Sequence, residues 1–303
     1  MNVRVVEVGP RDGLQAEQTV IPTDVKLRLV EALAGAGLEE IEATSFVSPK
    51  HVPQLADATQ LWPLLPTGPR YSALVPNLRG LENALSVGVK RIALFTAASD
   101  AFTLKNIGVS IADSLAIFTD VVAQFRSQVP DGWVRGYISS AFECPYVGPV
   151  SPDKVVSVAS ALISLGLDEI CLGDTIGVAG PTETRHLVKV CADVVPIDML
   201  AMHFHDTRGT ALANVYAALE SGVRIFDSSA GGLGGCPYAP GAGGNLATED
   251  LVYLLKREGV GLKIDLERLS RATLEVLGLI GRAPGSKVQQ AILSRANADS
   301  CAN

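Results

Sequence analysis

Residues 23–44 read TDVKLRLVEALAGAGLEEIEAT, and this stretch decides the fold. Thr23 can cap a helix in which Val25, Leu29, Val30, Leu33 and Ala34 recur at helical spacing and form one apolar stripe. The helix stops at Gly35-Ala36-Gly37, where glycine serves as the C-terminal cap, and Glu40 to Thr44 switches at once to a short β-rich run. The apolar face must pack on a sheet, so the stretch is half of a repeating βα unit.

Working outward, the same punctuation returns at Leu85-Ser86-Val87-Gly88, Leu165-Gly166-Leu167 and Glu220-Ser221-Gly222. Eight rounds of strand and helix follow, with strands expected at Val3 to Val8, Glu40 to Thr44, Tyr71 to Val75, Arg91 to Phe95, Val134 to Ser139, Glu169 to Leu172, Leu200 to His205 and Ile225 to Asp227. Eight βα units in about 260 residues predict an α/β chain folded as a (β/α)8 TIM barrel, with an open doubly wound sheet as the alternative. The expected organisation is one catalytic domain over residues 1–303, with the barrel over about 3–260 and a helical extension over about 262–303. Within the extension, Leu266 to Leu279 has the better amphipathic pattern and would cap the barrel or join a subunit interface.

At 48% hydrophobic and 19% charged residues the chain can bury a large core, and no low-complexity tract indicates disorder. A net charge of -7 without a compensating Lys/Arg cluster argues against a nucleic-acid partner. No apolar run approaches the roughly 20 residues of a membrane span, and a strand begins almost at the initiator Met, so neither membrane nor leader is expected. Five scattered cysteines (Cys144, Cys171, Cys191, Cys236, Cys301) without a Cys-x-x-Cys pair point to a reducing, cytoplasmic setting.

A barrel gathers its active site at the C-terminal ends of its strands, and the chemically unusual residues fall there. After the first strand comes Gly9-Pro10-Arg11-Asp12-Gly13-Leu14-Gln15; Glu42 lies within the second, with Ser45 after it; Gly173-Asp174-Thr175 follows the sixth. The seventh carries His203-Phe204-His205, two of four histidines in the chain, which an extended strand would point to one face. Blander readings exist for some: Arg11-Asp12-Gly13 fits a surface turn and Asp174 fits a helix cap. Glu42 is harder to dismiss, because a charge inside a barrel strand needs a partner. His51 and His186 have no ligand spacing and stay unassigned.

Asp12, His203 and His205 supply one oxygen and two nitrogen ligands, and Asn245 can add a second oxygen. Such a set without thiolate suits an octahedral divalent cation, Mg²⁺ or Mn²⁺, and leaves zinc open. After the eighth strand, seven glycines between Gly231 and Gly244 bracket Cys236-Pro237-Tyr238. The loop lacks a P-loop or dinucleotide fingerprint and reads as a lid whose thiol, Cys236, takes part in acid/base work.

Five segments together carry a family resemblance. They are Glu7-Val8-Gly9-Pro10-Arg11-Asp12-Gly13-Leu14-Gln15, Thr44-Ser45-Phe46-Val47-Ser48-Pro49-Lys50, Leu172-Gly173-Asp174-Thr175-Ile176-Gly177, His203-Phe204-His205-Asp206-Thr207, and GGLGGCPYAPGAGGNLATEDLVY from Gly231 to Tyr253. From about Val3 to Ala291 the chain resembles the 3-hydroxy-3-methylglutaryl-CoA lyase family. The cysteine loop is its most specific mark, whereas Arg-Asp-Gly and His-x-His are shared with Claisen-condensing barrels, which usually carry Glu where this chain has Leu14.

The resemblance implies a metal-dependent retro-Claisen cleavage of 3-hydroxy-3-methylglutaryl-CoA to acetyl-CoA and acetoacetate, as in leucine degradation and ketone-body formation. It implies Asp12, His203, His205 and Asn245 as ligands, Arg11 as enolate stabiliser, Cys236 as the loop thiol, and Glu42, Asp174 and Glu249 as supporting acids. Arg11, Gln15 and Ser45 would touch the substrate, and the base is Asp12, His203 or Cys236. It further implies a small acyl-CoA partner and a homodimer or higher homo-oligomer. Gly281-Arg282-Ala283, Leu293 and Phe142-Glu143-Cys144 depart from the Asn-Arg-Lys, the near-terminal cysteine and the Leu-Gly-Cys expected by resemblance. Two alternatives are a lyase for a longer-branched 3-hydroxyglutaryl-CoA and a Claisen-condensing acyl-CoA synthase.

Overall fold

The computed structural model describes residues 2–235 and 244–301. Eight parallel strands run Arg4–Glu7 (β1), Glu40–Ser45 (β2), Arg70–Leu74 (β3), Arg91–Ala97 (β4), Trp133–Ser139 (β5), Glu169–Asp174 (β6), Leu200–Phe204 (β7) and Ile225–Ser228 (β8). Each lies where the sequence placed it, to within one or two residues at its ends. The strands close in the order β1-β8-β7-β6-β5-β4-β3-β2. Closure decides against the open sheet: Glu7 of β1 is in register with Ser228 of β8 on one side and Ile41 of β2 on the other.

Helix Thr23–Gly35 buries Val25, Leu29, Val30 and Leu33 of the predicted stripe in the layer between barrel and helices, with Ala34 half-buried beside them. Its cap differs from the expectation. Pro22 occupies the capping position, which makes Thr23 the first helical residue, and the Thr23 hydroxyl donates instead to Asp57 Oδ2 at 2.8 Å. At the other end Gly37 has φ +95°, and a Cβ there would come 2.9 Å from the Lys263 carbonyl, so only glycine fits the stop.

Inside the barrel, Val6, Val8, Ala93, Tyr137, Cys171, Ala201 and Ile225 form a small apolar cluster of their own. Charged residues on the strands, Glu42, Arg135, Glu169 and Asp227, are buried and paired with one another or with Arg4 and Arg11. Burial without such pairing would cost several kcal/mol per charge, on the order of the whole stability of a domain. Cys144, Cys171 and Cys191 are buried free thiols.

The amphipathic stretch from Leu266 to Leu279 forms two helices, Leu266–Ala272 and Leu274–Ile280, broken at Thr273, whose hydroxyl accepts from Gln289 Nε2 at 2.8 Å. The extension packs beside the first helix, where Arg28 meets Glu275 at 2.6 Å. It also braces the segment after β8, the Gly285 N–H donating to the Gly231 carbonyl at 3.0 Å. Among the described residues no single helix is long and apolar enough to cross a membrane.

Candidate metal centre and active site

Gly9–Gly13 after β1 forms a single π-helical turn in which the N–H groups of Arg11, Asp12 and Gly13 all converge on the Val8 carbonyl, at 3.2, 2.7 and 3.1 Å. The turn folds Arg11 inward instead of onto the surface. Glycine is required at its end: a Cβ on Gly13 would lie 2.6 Å from Ser229 Oγ and 2.9 Å from Leu233 Cβ. Arg11, 5% exposed, gives Nε to Glu42 Oε1 and Nη1 to Asp12 Oδ1 at 2.7 Å. Glu42 Oε2 in turn accepts the Tyr137 hydroxyl at 2.9 Å.

His203 on β7 and His205 just beyond it present ligand atoms that, with Asp12, all lie within 4.8 Å of one another. Asn245 arrives from a distant segment that zips onto the end of β7, Asp206 N donating to Gly244 O at 2.7 Å and Leu246 N to Phe204 O at 3.0 Å. Its Nδ2 donates to Asp12 Oδ2 at 3.0 Å and to the Leu233 carbonyl at 3.2 Å.

The electrostatics suit a cation. Burial pushes Asp12 up, but the Arg11 guanidinium and both imidazoles outweigh it and hold the carboxyl down at about 2. Burial, with the neighbouring His203, pushes His205 down to about 3, so its ring is neutral. Burial also disfavours charge on His203, yet the bond to Asp227 and the Asp12 carboxylate raise it overall. Asp227 is itself held low, burial being outweighed chiefly by Arg135, so it can only accept and His203 Nδ1 donates to it at 3.2 Å. That turns Nε2 toward Asp12, the second-partner arrangement common to metal-ligating imidazoles. Two buried atoms here, His205 Nδ1 and Asn245 Oδ1, have no hydrogen-bond partner among the described residues. An unsatisfied buried polar atom costs about 1–3 kcal/mol, and a carboxylate, two imidazoles and an amide oxygen fit a hard divalent cation.

The cluster forms one wall of a cavity of about 520 Å³ that reaches the ends of β2 to β5. Arg11, Gln15, Tyr137 and Asn245 line it, as does His51, which the sequence left unassigned. Ser45 does not: its hydroxyl donates to the Leu74 carbonyl at 3.2 Å. Asp174 accepts the N–H groups of Val178 and Ala179, both at 3.0 Å, and burial pushes it up to about 6. Glu249 accepts the Gly231 N–H at 2.9 Å, and burial pushes it up to about 8. Both acids therefore hold loops and stand off the cavity wall. Cys236 lies outside the described residues, whose ends, Gly234 and Gly235 against Gly244, meet beside the site.

Asp227, Tyr137 and Arg135 went unnoticed in the sequence. The argument that singled out Glu42, a polar group within a barrel strand, applies equally to Ile225-Phe226-Asp227 and to Val134-Arg135-Gly136-Tyr137.

Comparison with known proteins bears on the same residues. A family model described as HMGL-like matches residues 2–276. The chain is 48% identical over 296 residues to the 3-hydroxy-3-isohexenylglutaryl-CoA/hydroxy-methylglutaryl-CoA lyase of Pseudomonas aeruginosa, covering 97% of this chain and 98% of that one. It is 48% identical over 300 residues to the mitochondrial hydroxymethylglutaryl-CoA lyase of Arabidopsis thaliana, covering 98% of this chain and 64% of the plant protein's length. The crystal structure of hydroxymethylglutaryl-CoA lyase from Pseudomonas aeruginosa superposes with a TM-score of 0.93 at 48% identity, over 97% of this chain and 98% of that one. An HMG-CoA lyase from Acinetobacter baumannii in complex with coenzyme A and 3-methylmalate superposes with a TM-score of 0.90 at 38% identity, over 96% and 95%.

Proposed function

The chain belongs to the hydroxymethylglutaryl-CoA lyase family, and from that premise we propose that it cleaves 3-hydroxy-3-methylglutaryl-CoA to acetyl-CoA and acetoacetate. The observation that carries the reading is Arg11 and the Asp12, His203, His205 cluster on one cavity wall, with Arg11 clamped by Glu42 and Asp12. Asp12, His203, His205 and Asn245 would hold Mg²⁺ or Mn²⁺, which when bound supplies a Lewis acid for the substrate's carboxylate and tertiary hydroxyl.

With Nε and Nη1 committed, Arg11 has Nη2 left for the thioester oxygen. Loss of the hydroxyl proton lets the bond between C2 and C3 break; the C3 fragment leaves as acetoacetate, and negative charge gathers on the thioester oxygen that Arg11 faces. A preset guanidinium stabilises that charge without reorganising. Asp12, held near 2, is a poor proton acceptor, and His203 has Nδ1 donating to Asp227 and Nε2 given to the proposed cation, which leaves Cys236 for the hydroxyl proton. Protonation of the enolate carbon, assigned to the Cys236 thiol, completes acetyl-CoA. His203 is kept in one orientation by Asp227, and Arg11 by Glu42, so neither has to search for its place in the reaction.

The test is acetoacetate release from 3-hydroxy-3-methylglutaryl-CoA by metal-stripped protein, with and without added Mg²⁺ or Mn²⁺. Metal-dependent release is expected; no release from folded, metal-loaded protein overturns the substrate assignment.

One observation favours a second reading. Away from the cluster the cavity wall carries an apolar stretch, Leu74, Phe95, Phe102, Ile107, Ile117 and Phe118, beside the polar Asn106 and Ser114. The substituent at C3 is the one apolar part of the acyl group, so this wall suits a branch longer than methyl, as the name of the Pseudomonas relative has it. Comparing kcat/KM for the methyl and a longer-branched ester decides it: a methyl preference above tenfold removes the longer branch.

A further inference from the structure

Seven side chains close a circuit inside the barrel. From Arg135, Nη2 donates to Asp227 Oδ1 at 2.6 Å, Asp227 Oδ2 accepts from His203 Nδ1 at 3.2 Å, and His203 Nε2 faces Asp12 Oδ2 at 3.9 Å. In the other direction Arg135 Nη1 donates to the Tyr137 hydroxyl at 3.2 Å, which donates to Glu42 Oε2 at 2.9 Å. Glu42 Oε1 accepts from Arg11 Nε, and Arg11 Nη1 returns to Asp12 Oδ1 at 2.7 Å. Arg135 is 1% exposed and absent from the cavity wall, so it does not touch a substrate held there. Its Nε stands 3.1 Å from Glu169 Oε1, an ion pair without hydrogen-bond geometry, and Arg4 holds the other oxygen of Glu169 at 2.6 Å.

We infer that Arg135 is a positioning residue for the proposed reaction, one rigid plane that sets the His203 ring through Asp227 and the Arg11 guanidinium through Tyr137 and Glu42. The inference rests on the lyase reading of the site. A guanidinium has its donors fixed in one plane, so it cannot tilt toward one partner without moving the other. Lysine keeps the charge and loses that geometry. The two arms also end on different functions: His203 belongs to the proposed ligand set, Arg11 to the charge that develops on the substrate. Separate readouts therefore exist for each arm.

The experiment measures Mn²⁺ affinity by calorimetry on metal-stripped protein without substrate, and kcat at saturating Mn²⁺. Asp227→Asn cuts the His203 arm and should weaken Mn²⁺ binding by about 10- to 100-fold, with kcat largely recovered at saturating metal. Tyr137→Phe cuts the Arg11 arm and should lower kcat by about tenfold or more while leaving Mn²⁺ affinity within about twofold of the unaltered protein. Arg135→Lys, with a native circular-dichroism spectrum, should show both losses together.

A folded Arg135→Lys protein with unaltered affinity and unaltered kcat overturns the inference. So does an equal loss of both properties in Asp227→Asn and Tyr137→Phe, which is what a general loosening of the barrel would produce; this pair decides the matter if Arg135→Lys does not fold. Unaltered protein that binds no Mn²⁺ and cleaves no substrate defeats the functional reading and takes this inference with it, whereas an active, Mn²⁺-binding protein whose variants are silent defeats the inference alone.

Discussion

Glu249 offers a prediction with a sign as well as a size. Its buried carboxyl accepts the Gly231 N–H and lies near Glu7 and Asp250, and burial raises its pKa from 4.5 to about 8. The unfolded chain releases this proton near pH 4.5 while the native chain keeps it to about pH 8. Between those values the native state binds the extra proton, so stability falls as pH rises and levels off above about pH 8. At about 1.4 kcal/mol per pH unit, the cost grows from about 2 kcal/mol near pH 6 to about 5 kcal/mol near pH 9.

Glu249→Gln keeps an oxygen for the Gly231 N–H and cannot ionise, so it removes this dependence while preserving the contact. Denaturant unfolding of both proteins near pH 6 and near pH 9 should show the variant gaining about 3 kcal/mol on the parent across that interval. Other titrating groups cancel in the difference, Glu7 excepted, whose own carboxyl burial raises to about 7. A gap that stays constant to within about 0.5 kcal/mol, or narrows with rising pH, refutes the claim that a protonated acid sits under this loop.

Arg11→Met should lower kcat by about 10²-fold or more, because the charge facing the developing enolate is gone, while metal content by atomic emission stays at the parent level. Near-parental turnover would remove Arg11 from the chemistry. The double change His203→Ala with His205→Ala should abolish Mn²⁺ binding measured by calorimetry, since it deletes both nitrogen donors of the cluster; unchanged stoichiometry would place the ion elsewhere.

Much of the architecture was legible because it rests on local physics. A helix that stops at Gly37 and a strand that begins at Glu40 announce themselves through spacing and turn chemistry alone. The first cap was misread for an equally local reason: Pro22 and Thr23 both signal a helix start, and Asp57, from a distant part of the chain, drew the Thr23 hydroxyl away. Asp12, His203 and His205 were found because a carboxylate and two imidazoles stood at the ends of two strands of one expected barrel. Ser45 and Glu249 stand close to site motifs in sequence, yet their side chains serve the Leu74 carbonyl and the Gly231 N–H.

The βα repeat and the inventory of ligands were legible in the chain alone, since periodicity, glycine stops and strand-end residues are properties of neighbours along it. That the sheet closes, and which buried charge answers which, came from the folded chain. Arg135 and Asp227 lie 92 residues apart, and Tyr137 and Glu42 lie 95 apart. Closing the barrel is what brings each pair within hydrogen-bond reach, because a charge shut inside has to find its partner on whichever strand the closure sets opposite.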